Sequence, residues 1–364
     1  MTLQKIIAVL EAWAPQAYAE DFDNVGLLTG DPNWDCTGIL ITLDTLEVVI
    51  DEAIAKKCNC IVSFHPIIFS GLKKFTGRTY VERTVTKAIE NRIAIYAMHT
   101  ALDNHSQGVN FQIGKQLGLS HTQLLIPKKN TLQKLTTYVP SENAKALLAA
   151  LHDAGAGAIG KYEQCSFSVL GKGTFKGNSD STPTIGMPLQ KETVEEQQLH
   201  VIFPKHLESK ILKTLFAVHP YEEVAYEITA LENKRQDVGM GAIGKLPQPM
   251  EEKDFLVFVK KNMNTSTIRH SPLMGRKIES VAVLGGSGSF AIDAALAQGA
   301  DAFITADLKY HQFFQAENKI LLADIGHFES EQFTKNLMYE YLIEKLPNFA
   351  IALTETDTNP VNYF

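Results

Sequence analysis

Cysteine is scarce in this chain, and the few present are poorly placed for cross-linking. Cys36, Cys58, Cys60 and Cys165 are the four cysteines among 364 residues. Their spacing fits neither a disulfide framework nor a zinc cluster. Cys58-Asn59-Cys60 therefore reads as the entry to a strand, and the setting as reducing and cytoplasmic. Basic runs are missing too. With a net charge of −7, neither nucleic acid nor an anionic membrane surface is expected as the main partner. A nucleotide remains open, because it needs only a local cationic or metal site. No apolar run reaches the ~18 residues of a membrane span. A cleavable signal pattern is also lacking. Residues from Thr2 run straight into a helical period, with Leu3, Ile6, Ile7, Leu10 and Trp13 as the apolar stripe and Thr2 as the expected cap.

Apolar residues make up 45% of the chain, enough for a substantial core in two or three domains. Strand and helix alternate in the first third. Strands are expected at 38–44, 59–63 and 93–99, and helices at 47–57, 81–91 and 109–118. The last third repeats the pattern, with strands at 280–284, 302–306, 320–325 and 349–353. Helices are expected there at 290–298, 311–317 and 331–346. Such alternation is the mark of βαβ units and a mainly parallel sheet. The middle differs. Strands at 135–139, 166–170 and 200–203 and helices at 142–154 and 207–218 are separated by a polar, glycine-rich run at 171–183 and a sharp turn at 155–160. The fold class expected is α/β: a two-part core over 1–131 and 233–364, interrupted by an α+β module over 132–232.

Three apolar strands end in residues that can bind a metal. Residues 320–325 lead to Gly326-His327, with Glu331 one helical turn on; 60–63 lead to Phe64-His65-Pro66; 93–98 lead to His99-Thr100-Ala101-Leu102-Asp103. An i, i+4 pair falls on one helix face, and the carboxy ends of parallel strands converge on one crevice. His65, Asp103, His327 and Glu331 can therefore share a site. Two imidazoles and two carboxylates suit Zn, Fe, Mn or Ni better than Ca or Mg. The other account has His327 capping a helix and Glu331 as a solvated first-turn acid.

These stretches, with Asp23-Asn24-Val25-Gly26-Leu27, Gly239-Met240-Gly241-Ala242-Ile243-Gly244 and Asp307-Leu308-Lys309-Tyr310-His311, resemble in content and order the motifs of the GTP cyclohydrolase 1 type 2 homologues, also called Nif-three-like dinuclear metal proteins. The resemblance covers nearly the whole chain. It implies that His65, Asp103, His327 and Glu331 are ligands of a two-metal site, and that the assembly is a ring-shaped homohexamer. It also implies that the insert, with Gly155 to Tyr162 and His219-Pro220-Tyr221-Glu222-Glu223, is a PII/CutA-like module of ferredoxin-like type. One departure stands out. Many members carry a second histidine just before His65, where this chain has Phe64. Either one metal is lost or weakened, or another group such as His99 replaces the missing nitrogen. Uneven metal occupancy is expected.

Other motifs admit more than one reading. Gly286, Gly288 and Ala291 satisfy GxGxxA after a strand, with Asp307 about 20 residues on. This is a weak dinucleotide fingerprint, an anion cradle at a helix N-terminus, or simply a tight turn. Asp307 and His311 are candidates to support metal ligands from behind, or Asp307 caps a helix. The His219 motif reads as a turn or interface element, and Asp44 as a site-lining or turn residue. Three functions follow. The first is a metal-dependent hydrolase of a nucleotide or similar heterocycle, with Glu331 bridging ions and His99 transferring protons. The second is a non-catalytic metal-binding regulator or assembly protein. The third is a dinucleotide-binding oxidoreductase.

Overall fold

The computed structural model describes residues 1–364. They form two compact units, one of Met1–Pro127 with Asp237–Phe364 and one of Lys128–Gln236. No helix is long and apolar enough to cross a membrane.

The first unit holds two sheets. One orders its strands Gly26–Thr29, Ala94–Ala97, Cys60–Ser63, Ile39–Thr42 and Ile351–Leu353. The other orders Arg269–His270, Leu321–Asp324, Ala302–Ala306, Lys277–Ser287, Gly239–Glu251 and Ser120–Pro127. Alternation along the strands explains why both sheets are buried on two faces. Ile39, Ile41, Cys60, Val62, Ala302, Ile304, Leu321 and Ala323 join one shared core together with the helix residues Leu10, Met338 and Leu342. The residues between them turn the other way. Leu40 and Ile61 pack under the helices Glu47–Ala55 and Tyr80–Glu90, while Phe303 and Leu322 pack with Ile292 and Ala295. Strands buried on both faces read as unbroken apolar runs.

Mixed pairing is the main departure from expectation. The central strands are parallel. Others are not: Gly26–Thr29 runs against Ala94–Ala97, and Gly239–Glu251 lies antiparallel to both its neighbours. The long C-terminal helix expected at 331–346 is two helices, His327–Glu331 and Thr334–Lys345. Residues 310–316 wind as a 3₁₀ helix. Thr2 occupies the cap position of helix Leu3–Trp13, but its side chain makes no capping bond.

The second unit is a βαββαβ arrangement with strand order Phe167–Lys176, Lys191–Pro204, Leu132–Pro140, Tyr226–Leu231, all antiparallel. This is the ferredoxin-like topology. Its helices Ala144–Asp153 and Glu208–Val218 pack through Leu147, Leu151, Ile211 and Leu215 on Leu135, Leu199, Val201 and Phe203. Part of the glycine-rich run that reads as loop is in fact strand, because Gly171 to Lys176 pair with Glu196 to Lys191. A hairpin partner supplied what the local composition withheld.

The second unit leaves and rejoins the first at neighbouring points of one antiparallel pair, since Gly239 lies opposite Pro127. Replacing 128–236 by a short glycine-containing turn should therefore leave a soluble, cooperatively melting core; a chain that is unfolded by circular dichroism would disprove this. A second expectation concerns Glu52. Its carboxylate accepts bonds from the Thr354 hydroxyl, the Thr356 hydroxyl and the amides of Glu355 and Thr356, clamping the segment after the last strand. Burial raises its pKa, but these donors outweigh burial and hold it at about 2. The folded value lies below the unfolded one, so the clamp stabilises fully above the unfolded pKa and is lost as pH falls through the folded one. Glu52→Gln should lower urea stability at pH 7, and the gap to the parent should close between about pH 4.5 and pH 2. Parallel curves across that window would rule the clamp out.

Candidate metal centre

The site lies where strands of both sheets end. His65 follows Cys60–Ser63, His99 follows Ala94–Ala97, Asp44 follows Ile39–Thr42, Asp307 follows Ala302–Ala306, and His327 follows Leu321–Asp324. The helix His327–Glu331 starts at the histidine itself, so Glu331 returns over the site one turn later. A cavity of about 530 Å³ is lined by His65, His99, Asp103, His327 and Glu331 among others.

Glu331 is the centre of the arrangement. Its Oε2 lies 3.1 Å from His65 Nε2 and 3.2 Å from His327 Nε2. His65, His327 and Glu331 each offer a ligand atom within 4.8 Å of the others. Asp103 lines the same cavity but falls outside this trio, and so does His99.

Each histidine is tied from behind. His65 Nδ1 donates to Asp44 Oδ1 at 2.8 Å, His327 Nδ1 to Asp307 Oδ2 at 2.7 Å, and His99 Nδ1 to Asp23 Oδ1 at 2.7 Å. A carboxylate can only accept, so the proton sits on Nδ1 and Nε2 is turned to the other task. The supports are themselves held. Asp44 Oδ2 accepts from the Thr358 hydroxyl, Asp307 Oδ2 from the Ser287 hydroxyl, and Asp23 Oδ2 from the Thr100 amide at 3.1 Å.

The charges are strongly coupled. Burial alone would lower the His65 imidazole, yet Asp44 and Glu331 push it to about 10; His327 is driven against burial to about 11 by Asp307 and Glu331. Burial would raise Glu331, but His327 and His65 hold it well below the usual carboxylate range. Asp103 goes the other way: burial, with Glu331 close by, pushes its carboxyl well above the usual value. Metal binding would displace these protons.

The glycine-rich turn lets backbone approach these ligands. Gly286 has φ +65°, and a Cβ there would lie 2.5 Å from Glu331 Oε1 and 3.2 Å from His327 Nε2. At Gly288 a Cβ would strike the Thr305 hydroxyl. The amides of Gly285 and Gly286 are taken by Asn110 Oδ1 and Ser330 Oγ. The helix that follows, Ile292–Ala297, is only six residues long. His311 is exposed, edge-on to Tyr310 and tilted against Phe314, and does not line the cavity. Phe64 is wholly buried in the core, its ring 4.9 Å from that of His65 and 5.6 Å from that of His99.

Comparison with known proteins identifies the family. Residues 1–360 match the family described as Duf34/NIF3 (NGG1p interacting factor 3). The chain belongs to this family. A relative in Bacillus subtilis, named GTP cyclohydrolase 1 type 2 homolog, is 38% identical over 99% of this chain and 98% of its own length. A crystal structure of a Bacillus cereus protein related to NIF3 superposes with a TM-score of 0.88 at 35% identity, covering 100% of this chain and 99% of that one. A Staphylococcus aureus protein gives 0.80 at 28% identity, with 100% and 99% covered.

Within this member of the DUF34/NIF3 family, Asp23 and Asn110 carry supporting roles that residue type and spacing did not reveal. Asp23 lies 76 positions from its histidine, so only its place in the Asp23-Asn24-Val25-Gly26-Leu27 motif signalled it. Gly286→Ala should cost at least about 1 kcal/mol from the left-handed backbone alone. It should also push Glu331 off His327 and reduce the metal retained on purification. Unchanged metal content and melting temperature would contradict this reading of the turn.

Proposed function

We propose that the protein is a metal-dependent hydrolase acting on a nucleotide-derived or related heterocycle. One observation carries the reading. Asp103 Oδ1 is a buried polar atom without a partner, and His65 Nε2 and Glu331 Oε2 face each other at 3.1 Å without hydrogen-bond geometry; all three residues line one cavity. Orphaned buried polar atoms are costly, and a divalent cation satisfies this donor set of imidazole and carboxylate. His65, His327 and Glu331 would hold one ion, with Asp103 beside them. The ion supplies Lewis acidity, which acidifies water and polarises a carbonyl or phosphoryl oxygen.

The chain's own groups do the rest. Asp44 and Asp307 fix the imidazole tautomers of His65 and His327 so that Nε2 presents its lone pair. His99, locked through Nδ1 on Asp23, leaves Nε2 to take a proton from attacking water and return it to the leaving group. Because Phe64 is packed in the core, position 64 adds no donor to the cavity. A second ion is therefore held more weakly than the first.

Protein purified without chelator should carry one tightly retained divalent ion per chain, with a second exchanging readily. Glu331→Ala should lose the first. His99→Ala should keep it while kcat on a turned-over heterocycle falls by about 10²–10⁴. Full activity in His99→Ala would remove its assigned role. Tight metal with no turnover across a panel of purine and pterin compounds would instead favour a non-catalytic metal-binding protein.

A further inference from the structure

Five rings stand in file along the cavity. Phe22 and Phe69, at the rim, are 65% and 52% exposed, with centroids 6.3 Å apart. Phe69 is 6.2 Å from His99, His99 is 5.4 Å from His65, and His65 is 5.5 Å from His327. Phe290, also exposed, lines the same cavity. Exposed apolar residues gathered at one mouth mark a surface that something covers. The faces of phenylalanine rings favour planar aromatic partners.

The charges around this cavity narrow the class. No lysine or arginine lines it. Five carboxylates lie in it or directly behind its histidines: Asp23, Asp44, Asp103, Asp307 and Glu331. Each phosphate group on a substrate adds further negative charge, and like charges repel most strongly where water is excluded. A triphosphate arm therefore finds no lysine or arginine in the cavity to pair with.

We propose that the cavity takes an uncharged planar heterocycle, stacked against Phe22 and Phe69 with its ring edge directed to the histidines, and discriminates against the triphosphorylated form. The proposal rests on the reading of the cavity as a metal-dependent substrate site, but the ring file and the absence of lysine and arginine from the lining hold whether or not an ion is bound.

The probes are hypoxanthine, inosine and inosine triphosphate, which share one ring and differ in charge. Titration calorimetry on the full chain, metal-loaded and chelator-treated, gives their Kd values, with metal content measured in parallel. Hypoxanthine and inosine are expected to bind, and the triphosphate at least about tenfold more weakly than inosine. Phe22→Ala and Phe69→Ala should each weaken inosine by about tenfold while metal content stays unchanged. A triphosphate that binds as tightly as inosine overturns the proposal. So does failure of both neutral probes to bind, or inosine affinity unmoved in the two variants. The outcomes separate from those of the metal reading. A chain that holds no metal yet binds inosine through Phe69 defeats only the proposed function, and a metal-loaded chain that ignores neutral rings defeats only this inference.

Discussion

A buried carboxylate shared between two imidazoles governs the architecture of this protein. Glu331 approaches His65 and His327 through the same oxygen, and it could not stay charged there alone, because burying an unpaired carboxylate costs several kcal/mol. Each imidazole must therefore be anchored, and the anchors are the carboxylates of Asp44 and Asp307. Everything near the centre serves that geometry. Gly286 gives up its side chain so that Glu331 can pass, Ser330 takes the Gly286 amide, and Thr358 reaches in from the C-terminal segment to hold Asp44.

The need to assemble this cluster explains the discontinuous first unit. His65 comes from one sheet, and His327 with Glu331 from just beyond the other. Neither sheet alone brings the three together. They are fixed relative to one another by a common core that joins Ile41 and Val62 to Val283 and Ile304. Close-packed cores transmit small displacements, so the ligand distances depend on side chains far from the cavity. The excursion through 128–236 interrupts this unit without disturbing it, because the chain departs and returns on paired strands at Pro127 and Gly239.

The cavity also has an unusual balance of groups. Aromatic rings and carboxylates dominate it, and basic side chains do not line it.

Much of this was legible from residue order. Apolar runs ending in His65, His99 and His327 announced strands with polar tips, because strands buried on both faces leave an unbroken signal. The i, i+4 pair His327 and Glu331 declared its shared helix face. The antiparallel strands were less visible, since Gly239–Glu251 is rich in glycine and proline and carries no clean alternation. The break after Glu331 escaped notice because apolar spacing continues across it. Sequence alone determined which side chains had the chemistry to bind a metal, since that depends on residue type and on local periodicity. Only the tertiary structure decided that Asp23, Asp44 and Asp307 orient the three histidines, that Asp103 and His99 stand just outside the tightest trio, and that Phe64 belongs to the core. Those outcomes depend on distances between segments far apart in the chain, and such distances are set by packing rather than by spacing.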